Sequence, residues 1–390
     1  VSDARIDLAR RPMSTFPSPS PRTWRQKLAR ALVTTLLVFG LVEISLRVTG
    51  FRFHGLDLPI AIWNPDEDKA LNDASALHRS SLVSLWEPRP GASIPWGANE
   101  LVNEGTFRGP DVAAQRTPGT LRIATLGDSS TFGYGVAWEE CWSARLASAA
   151  RTRGNSIEVI DGGVIGFTIR QGIERYKARV RPLRPDVVVA AFGAVNEHTL
   201  APGEVPDVAK LEQVRARSSV VSRSARWVRG AVRVLHLLDW VRCEITDEKS
   251  KRLAAWTVRE QNRTLGIEVM GALDYAEPRR VSPTAFAEAL AELRREVEAD
   301  GARLVLVSMP RSPGTEELSP ILAEYTRVLE DFARTAAVPV ADARAAFRDE
   351  AAAGRGEGLF LSGDRWHPTA RGHAVLAERI APLVEAAAAR

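Results

Sequence analysis

Leu121-Arg122-Ile123-Ala124-Thr125-Leu126-Gly127-Asp128-Ser129 is the stretch that decides the fold. The run 121–126 is short, apolar and rich in branched side chains, the composition of a buried strand. After it come the glycine-containing residues 130–135 and then a helical pattern near Trp142. Ser129 therefore falls at the carboxyl end of a predicted strand, where open parallel sheets bind their ligands. Four further apolar runs, 157–160, 187–192, 304–307 and 338–341, alternate with helical patterns. Strand-helix alternation of this kind predicts a three-layer α/β/α sandwich around a five-stranded parallel sheet. One helix is marked at both ends, by Ser282 as N-cap with Pro283 at its first position and by Gly301 just beyond it.

Four short words lie on this frame, in order. Gly127-Asp128-Ser129 is by itself weak, since a polar turn with Asp or Ser capping the next helix has the same composition. The second word, 161–168, contains Gly162, Gly163 and Gly166. Glycines let the backbone approach a ligand and leave amide N–H groups unobstructed, as an oxyanion hole requires; a tight strand-to-helix turn is the competing explanation. The third, Gly193-Ala194-Val195-Asn196, offers a side-chain amide at a strand end, where a lone Asn also serves as a turn former.

The fourth, Asp364-Arg365-Trp366-His367, is followed by Pro368 and a helix from about Thr369. Three residues apart on one loop, a carboxylate can fix the tautomer of an imidazole and stabilise its protonated form. A capping Asp beside a surface His is the competing explanation. His198, just past Asn196, is a rival base; His54, His78, His236 and His373 have no such setting.

These four blocks resemble those of the GDSL, or SGNH, hydrolase superfamily over roughly 121–384. The resemblance implies a flavodoxin-like SGNH hydrolase fold and a hydrolase acting on ester bonds. It implies Ser129 as nucleophile, Asp364 and His367 completing a triad, and the Ser129 and Gly166 amides with Asn196 as oxyanion donors. No cofactor is expected, and no His, Cys and carboxylate cluster in the sequence suggests a metal. The third block departs from Gly-x-Asn-Asp, because Ala194 stands at the Gly or one extra residue follows Gly193, and Glu197 replaces the final Asp. The first block has Ser130 where the family name has Leu. Residues 103–109 resemble a segment that precedes the first block in membrane-anchored members, with Arg108 structural or reaching the cleft.

The net charge of +4 is unevenly placed: residues 1–30 hold seven basic residues against two acids, and the remainder is close to neutral. The basic balance thus belongs to one segment and gives no support to nucleic-acid binding by the main domain. Residues 31–48 are nearly all apolar, about 27 Å as a helix, close to the hydrocarbon thickness. Glu43 and Arg47, four apart, pair on one face. An uncleaved anchor is expected at 31–49, since no small-residue cleavage site follows; a cleaved signal peptide and a buried soluble helix are the alternatives. The charge asymmetry places residues 1–30 in the cytoplasm and the rest in the periplasm or cell exterior.

Residues 13–22 read as disordered, and 50–119, irregular and Pro-rich, as a strap packed on the hydrolase domain of 120–390. An insertion at about 199–280 contains a basic stretch in which Trp227, Val228, Ala231, Leu235 and Leu238 share one helical side and Arg226, Arg229 and Arg233 another. A cap packed on the core and an interfacial helix on anionic lipid both fit this pattern. Cys141, in a predicted helix, and Cys243 either pair or stay free thiols, and neither has metal-ligand spacing. The substrate expected is a short acyl ester on a cell-envelope glycan or lipid. An O-acyltransferase using the same triad and a catalytically silent envelope scaffold are the alternatives.

Overall fold

The computed structural model describes residues 23–48, 77–152, 156–199, 206–212 and 279–389. A hairpin of β1 (His78–Ser81) and β2 (Leu85–Pro88) pairs antiparallel. It precedes a parallel sheet of β3 (Leu121–Gly127), β4 (Ile157–Asp161), β5 (Val187–Ala191), β6 (Arg303–Ser308) and β7 (Val340–Asp342). Its spatial order is β4-β3-β5-β6-β7, every pair parallel. This is a doubly wound order in which the chain turns from one edge to the other between β3 and β5, and such switch points open a crevice at the carboxyl ends of the strands.

The three layers follow from the strand residues. All five residues of β5 are buried, because a parallel sheet covered on both faces needs apolar side chains on each. Val188 and Ala190 join one core with α4 (Ile169–Arg175), α5 (Pro283–Ala299) and α6 (Ile321–Ala336), which contribute Ile173, Phe286, Leu293 and Tyr325. Val187, Val189 and Ala191 join the other with α3 (Trp142–Thr152), α7 (Ala343–Ala352) and α8 (Ala370–Ala388), which contribute Trp142, Phe347 and Leu376. The period-two alternation along one strand thus assigns each residue to its layer.

Caps end the elements where the sequence marks them. Ser282 Oγ accepts from the Ala285 N–H at the start of α5, and Thr369 Oγ1 from the Gly372 N–H at the start of α8. The five strands lie within a residue or two of the expected runs. Cys141 differs slightly: it ends a 3-10 turn, Trp138–Glu140, just before α3, and its thiol is buried. Cys243 lies outside the described residues.

Within 77–119, Leu85 and Trp86 of the hairpin belong to the core on the α4–α6 side. Arg108 is fully buried and does not reach the cleft. Its guanidinium donates to the carbonyls of Phe132 (2.8 Å), Gly133 (2.6 Å) and Val136 (2.7 Å) and to Glu100 (2.6 Å). A fixed five-donor fork suits a loop with several orphan carbonyls, and the loop it secures directly follows Ser129.

Considered by itself, α1 (Trp24–Val48) has 25 residues, and its most apolar 18-residue stretch has a mean hydropathy of 1.9. By length and composition it is long and apolar enough to cross a membrane. It begins seven residues before the apolar run does, and the Arg47 Nε–H donates to Glu43 at 2.8 Å. Residues 1–22, 49–76 and most of 199–280, with the basic stretch at 226–238, lie outside the described residues.

Candidate active site

β3 delivers its last residue, Gly127, to the switch point, and Asp128 caps the four-residue helix α2 (Ser129–Phe132) that follows. The cap puts Ser129 at the first helical position, whose N–H has no intrahelical acceptor. Asp128 Oδ1 accepts from the Ser130 N–H at 2.9 Å, while Oδ2 accepts from the Asn196 amide at 3.1 Å. One carboxylate therefore joins the first block to the third. Burial pushes its pKa above the usual carboxylate value, against the bonds from Ser130 and Asn196 and the charge of His367.

The fourth block closes over Ser129. His367 Nε2 lies 2.8 Å from Ser129 Oγ, and His367 Nδ1 lies 2.6 Å from Asp364 Oδ2. The other oxygen of Asp364 accepts from the N–H groups of Trp366 (2.7 Å) and His367 (3.0 Å). The three-residue spacing thus lets one carboxylate brace its own turn and face the imidazole. Burial raises the Asp364 pKa, but the bond to and charge of His367 and the two amides outweigh it and hold the group below its ordinary value. An ionised Asp364 accepts a hydrogen bond from Nδ1–H, which leaves Nε2 as the acceptor facing Ser129. Ser130, at the family's Leu position, donates through its hydroxyl to the Trp366 carbonyl at 3.2 Å and ties the first block to the fourth.

Gly163 and Gly166 meet different demands. A Cβ on Gly163 would lie 2.4 Å from the Phe132 N, so only glycine lets the second block pack against α2. Gly166 has φ +75°, the left-handed region. Among the described residues its N–H donates to nothing, whereas its carbonyl accepts from Arg280.

The third block is irregular in sequence but closely held. The Arg311 guanidinium donates to the carbonyls of Gly193 (2.7 Å) and Ala194 (2.8 Å). Glu197 accepts from the N–H groups of Gly193 (3.1 Å) and Ile169 (3.0 Å), bridging the third block to the start of α4. Burial and then the Asp128 charge push Glu197 up to about 7. Asn196 is buried and reaches Asp128 despite the irregularity.

His198 is not in this cluster. It is buried, its backbone carbonyl accepts from Arg279, and burial followed by the charges of Arg279 and Arg311 lowers it to about 3. Tyr134 and Trp96 were not legible as site residues. The Tyr134 ring stacks 4.5 Å from that of His367, and Trp96 packs 4.6 Å from Tyr134. The sequence signal for Tyr134 is an aromatic within the glycine-rich loop after the serine, whereas Trp96, ahead of the first block, has none. Among the described residues no group of three His, Cys, Asp or Glu is arranged to hold a metal.

The model of the GDSL-like lipase/acylhydrolase family matches residues 125–375. The chain belongs to that family. All four blocks of this GDSL protein lie within the matched stretch, whereas the hairpin and Arg108 precede it. An arylesterase of Vibrio mimicus is 32% identical over 73 residues, 19% of this chain and 36% of the relative, so the chain spans about a third of the length of that curated relative. Among solved structures, the acetylxylan esterase Axe2 of Geobacillus stearothermophilus is 16% identical with a TM-score of 0.42, over 68% of this chain and 94% of that one. A lipase/acylhydrolase of Enterococcus faecalis is also 16% identical with a TM-score of 0.42, over 68% and 96%.

One buried group near the site should make the GDSL domain less stable in acid. His373 on α8 accepts the Trp142 N–H at Nδ1 (3.2 Å), and burial, then the charges of Arg108, Arg145 and His367, lowers it from 6.5 to about 3. Between those values the unfolded chain binds more protons than the folded one. The contribution to stability is therefore complete above pH 6.5 and is lost as pH falls toward 3. His373→Asn keeps an acceptor for Trp142 and removes the titration. In urea unfolding between about pH 4 and pH 6, the variant should lose up to one proton of dependence, roughly 1.4 kcal/mol per pH unit. An unchanged slope rules this origin out.

Proposed function

We propose that the protein is a membrane-tethered serine esterase, in which Ser129 attacks an ester carbonyl and His367 accepts its proton. The observation that carries this reading is the unbroken chain Ser129 Oγ, His367 Nε2, His367 Nδ1, Asp364 Oδ2, with spacings of 2.8 and 2.6 Å. Proton transfer to Nε2 raises the nucleophilicity of Oγ, and Asp364 stabilises the imidazolium that forms. The tetrahedral oxygen is met by the N–H groups of Ser129 and Gly166 and by the Asn196 amide, whose second hydrogen is left after the bond to Asp128. Collapse of the intermediate expels the alcohol, which takes the proton from His367. Water, deprotonated by the same imidazole, then releases the acyl group. No cofactor enters either step. A fluorophosphonate probe should modify Ser129 alone in the purified protein; a label on another residue overturns the assignment.

The tether is α1, whose exposed apolar side chains and length suit a single membrane crossing. Seven basic residues against two acids in 1–30 favour a cytoplasmic side for that flank and an outward-facing catalytic domain. The substrate proposed is a short acyl ester on an envelope glycan or lipid, the esters within reach of a domain held at that surface. A reporter active only outside the cytoplasm, fused after Arg390, should be active. Cytoplasmic reporter activity at that site reverses the orientation, and release of a shortened soluble chain makes α1 a cleaved signal.

A further inference from the structure

Gly166 sits in the turn from β4 to α4 at φ +75°, and both carbonyls beside it are bonded from outside that turn. The Trp86 indole N–H donates to the Ile165 carbonyl at 2.9 Å, and Arg280 Nη1 donates to the Gly166 carbonyl at 2.8 Å. The two donors come from widely separated parts of the chain. Trp86 lies on β2, ahead of the family's matched residues, and Arg280 lies at the far end of the insertion.

The donors are themselves held. Trp86 is 5% exposed, with Phe167 packed edge-on at 5.6 Å and the Arg280 guanidinium over its ring at 5.6 Å. Arg280 forms a buried ion pair with Asp207 (2.8 Å) and donates to Gln171 Oε1 (2.7 Å). Thr168 donates to the same Asp207 at 2.8 Å, and Gln171 donates to the Ser84 carbonyl of the hairpin at 2.9 Å. Hairpin, insertion root and second block are thereby joined behind one turn.

The Ile165 carbonyl and the Gly166 N–H are two ends of a single peptide plane. Fixing the carbonyl fixes the direction of the N–H, and a donor on the carbonyl polarises the amide and strengthens it as a donor in turn. Glycine, without a Cβ, provides little resistance to reorientation of that plane. The restraint has to come from the partners.

We propose that Trp86 is a positioning residue for the oxyanion hole: its indole N–H holds the Ile165–Gly166 peptide in the orientation in which the Gly166 N–H meets the tetrahedral oxygen. The inference rests on the reading of Ser129 as nucleophile and Gly166 as oxyanion donor. It assigns part of the transition-state machinery to a hairpin outside the stretch that defines the family.

The test is Trp86→Phe, which keeps an aromatic ring and deletes the N–H, assayed on a short-chain aryl ester. A loosened donor weakens binding of the tetrahedral oxygen more than of the ground-state ester, so kcat should fall about tenfold while KM stays within about twofold. Trp142→Phe is the control. Trp142 is fully buried, on the opposite face of the sheet, and its indole nitrogen has no partner among the described residues. It should lower the melting temperature and leave kcat at the wild-type value. Should Trp86→Phe fail to fold, benzothienylalanine at position 86, with sulfur in place of the N–H, preserves the shape and should show the same kcat loss. A kcat within about twofold of wild type for the folded variant, or a change confined to KM, overturns the proposal. Ser129→Ala run in parallel separates the failures: if it stays active the nucleophile is wrong, and if it is inactive while Trp86→Phe is normal only the role of Trp86 is wrong.

Discussion

Ser129→Ala should abolish turnover of a short-chain aryl ester, with kcat lowered by about four orders of magnitude or more and the fold retained. The size follows from the arrangement, since Oγ is the one atom of the site that would form a bond to the substrate. Stability should change little, because the hydroxyl is bonded to His367 and the rest of the serine is held as the first residue of α2. His367→Ala should be about as severe, and the double variant no worse than either single one, because the two residues act as a unit. His198→Ala should move the melting temperature rather than kcat, since its ring is buried and the imidazole bonded to Ser129 is that of His367. Activity surviving in Ser129→Ala, or the reverse ranking of the two histidines, sinks the assignment.

Asn196→Ala should lower kcat by roughly a hundred- to a thousandfold with a much smaller change in KM. An amide aimed at the tetrahedral oxygen stabilises the transition state more than the ground-state carbonyl, so its loss appears in the chemical step. The bond to Asp128 adds a second consequence. Without Asn196, Asp128 Oδ2 loses its donor in a buried setting where its pKa is already raised. The variant should therefore also lose stability, by about 1–3 kcal/mol for an unmet buried acceptor. A kcat within about threefold of wild type would make Asn196 a purely structural link between the first and third blocks.

The departure at Glu197 is explained by what surrounds it. Its two oxygens meet the amide of Gly193 in its own block and that of Ile169 at the start of α4. Ser130, the departure in the first block, likewise spends its hydroxyl on the loop that carries His367. Both irregularities are ties between blocks far apart in the chain.

What the sequence by itself determined was local. The five apolar runs, the cap at Ser282, the helix start near Thr369, the glycine at 166 and the Asp364–His367 spacing are written in neighbouring residues, because strand burial, capping and turn geometry depend on a few consecutive side chains. The length and apolarity of α1 were legible in the same way, down to the Glu43–Arg47 pair. Only the tertiary structure decided the strand order that opens the crevice between β3 and β5. It alone placed Tyr134 on His367, Arg108 beneath the loop after the serine, and Trp86 behind Gly166. These partners are separated in the chain by at least 24 positions for the hydrogen bonds concerned. No local pattern encodes such pairings; they arise when two buried faces close the layers and each orphan carbonyl or carboxylate left inside must find a donor.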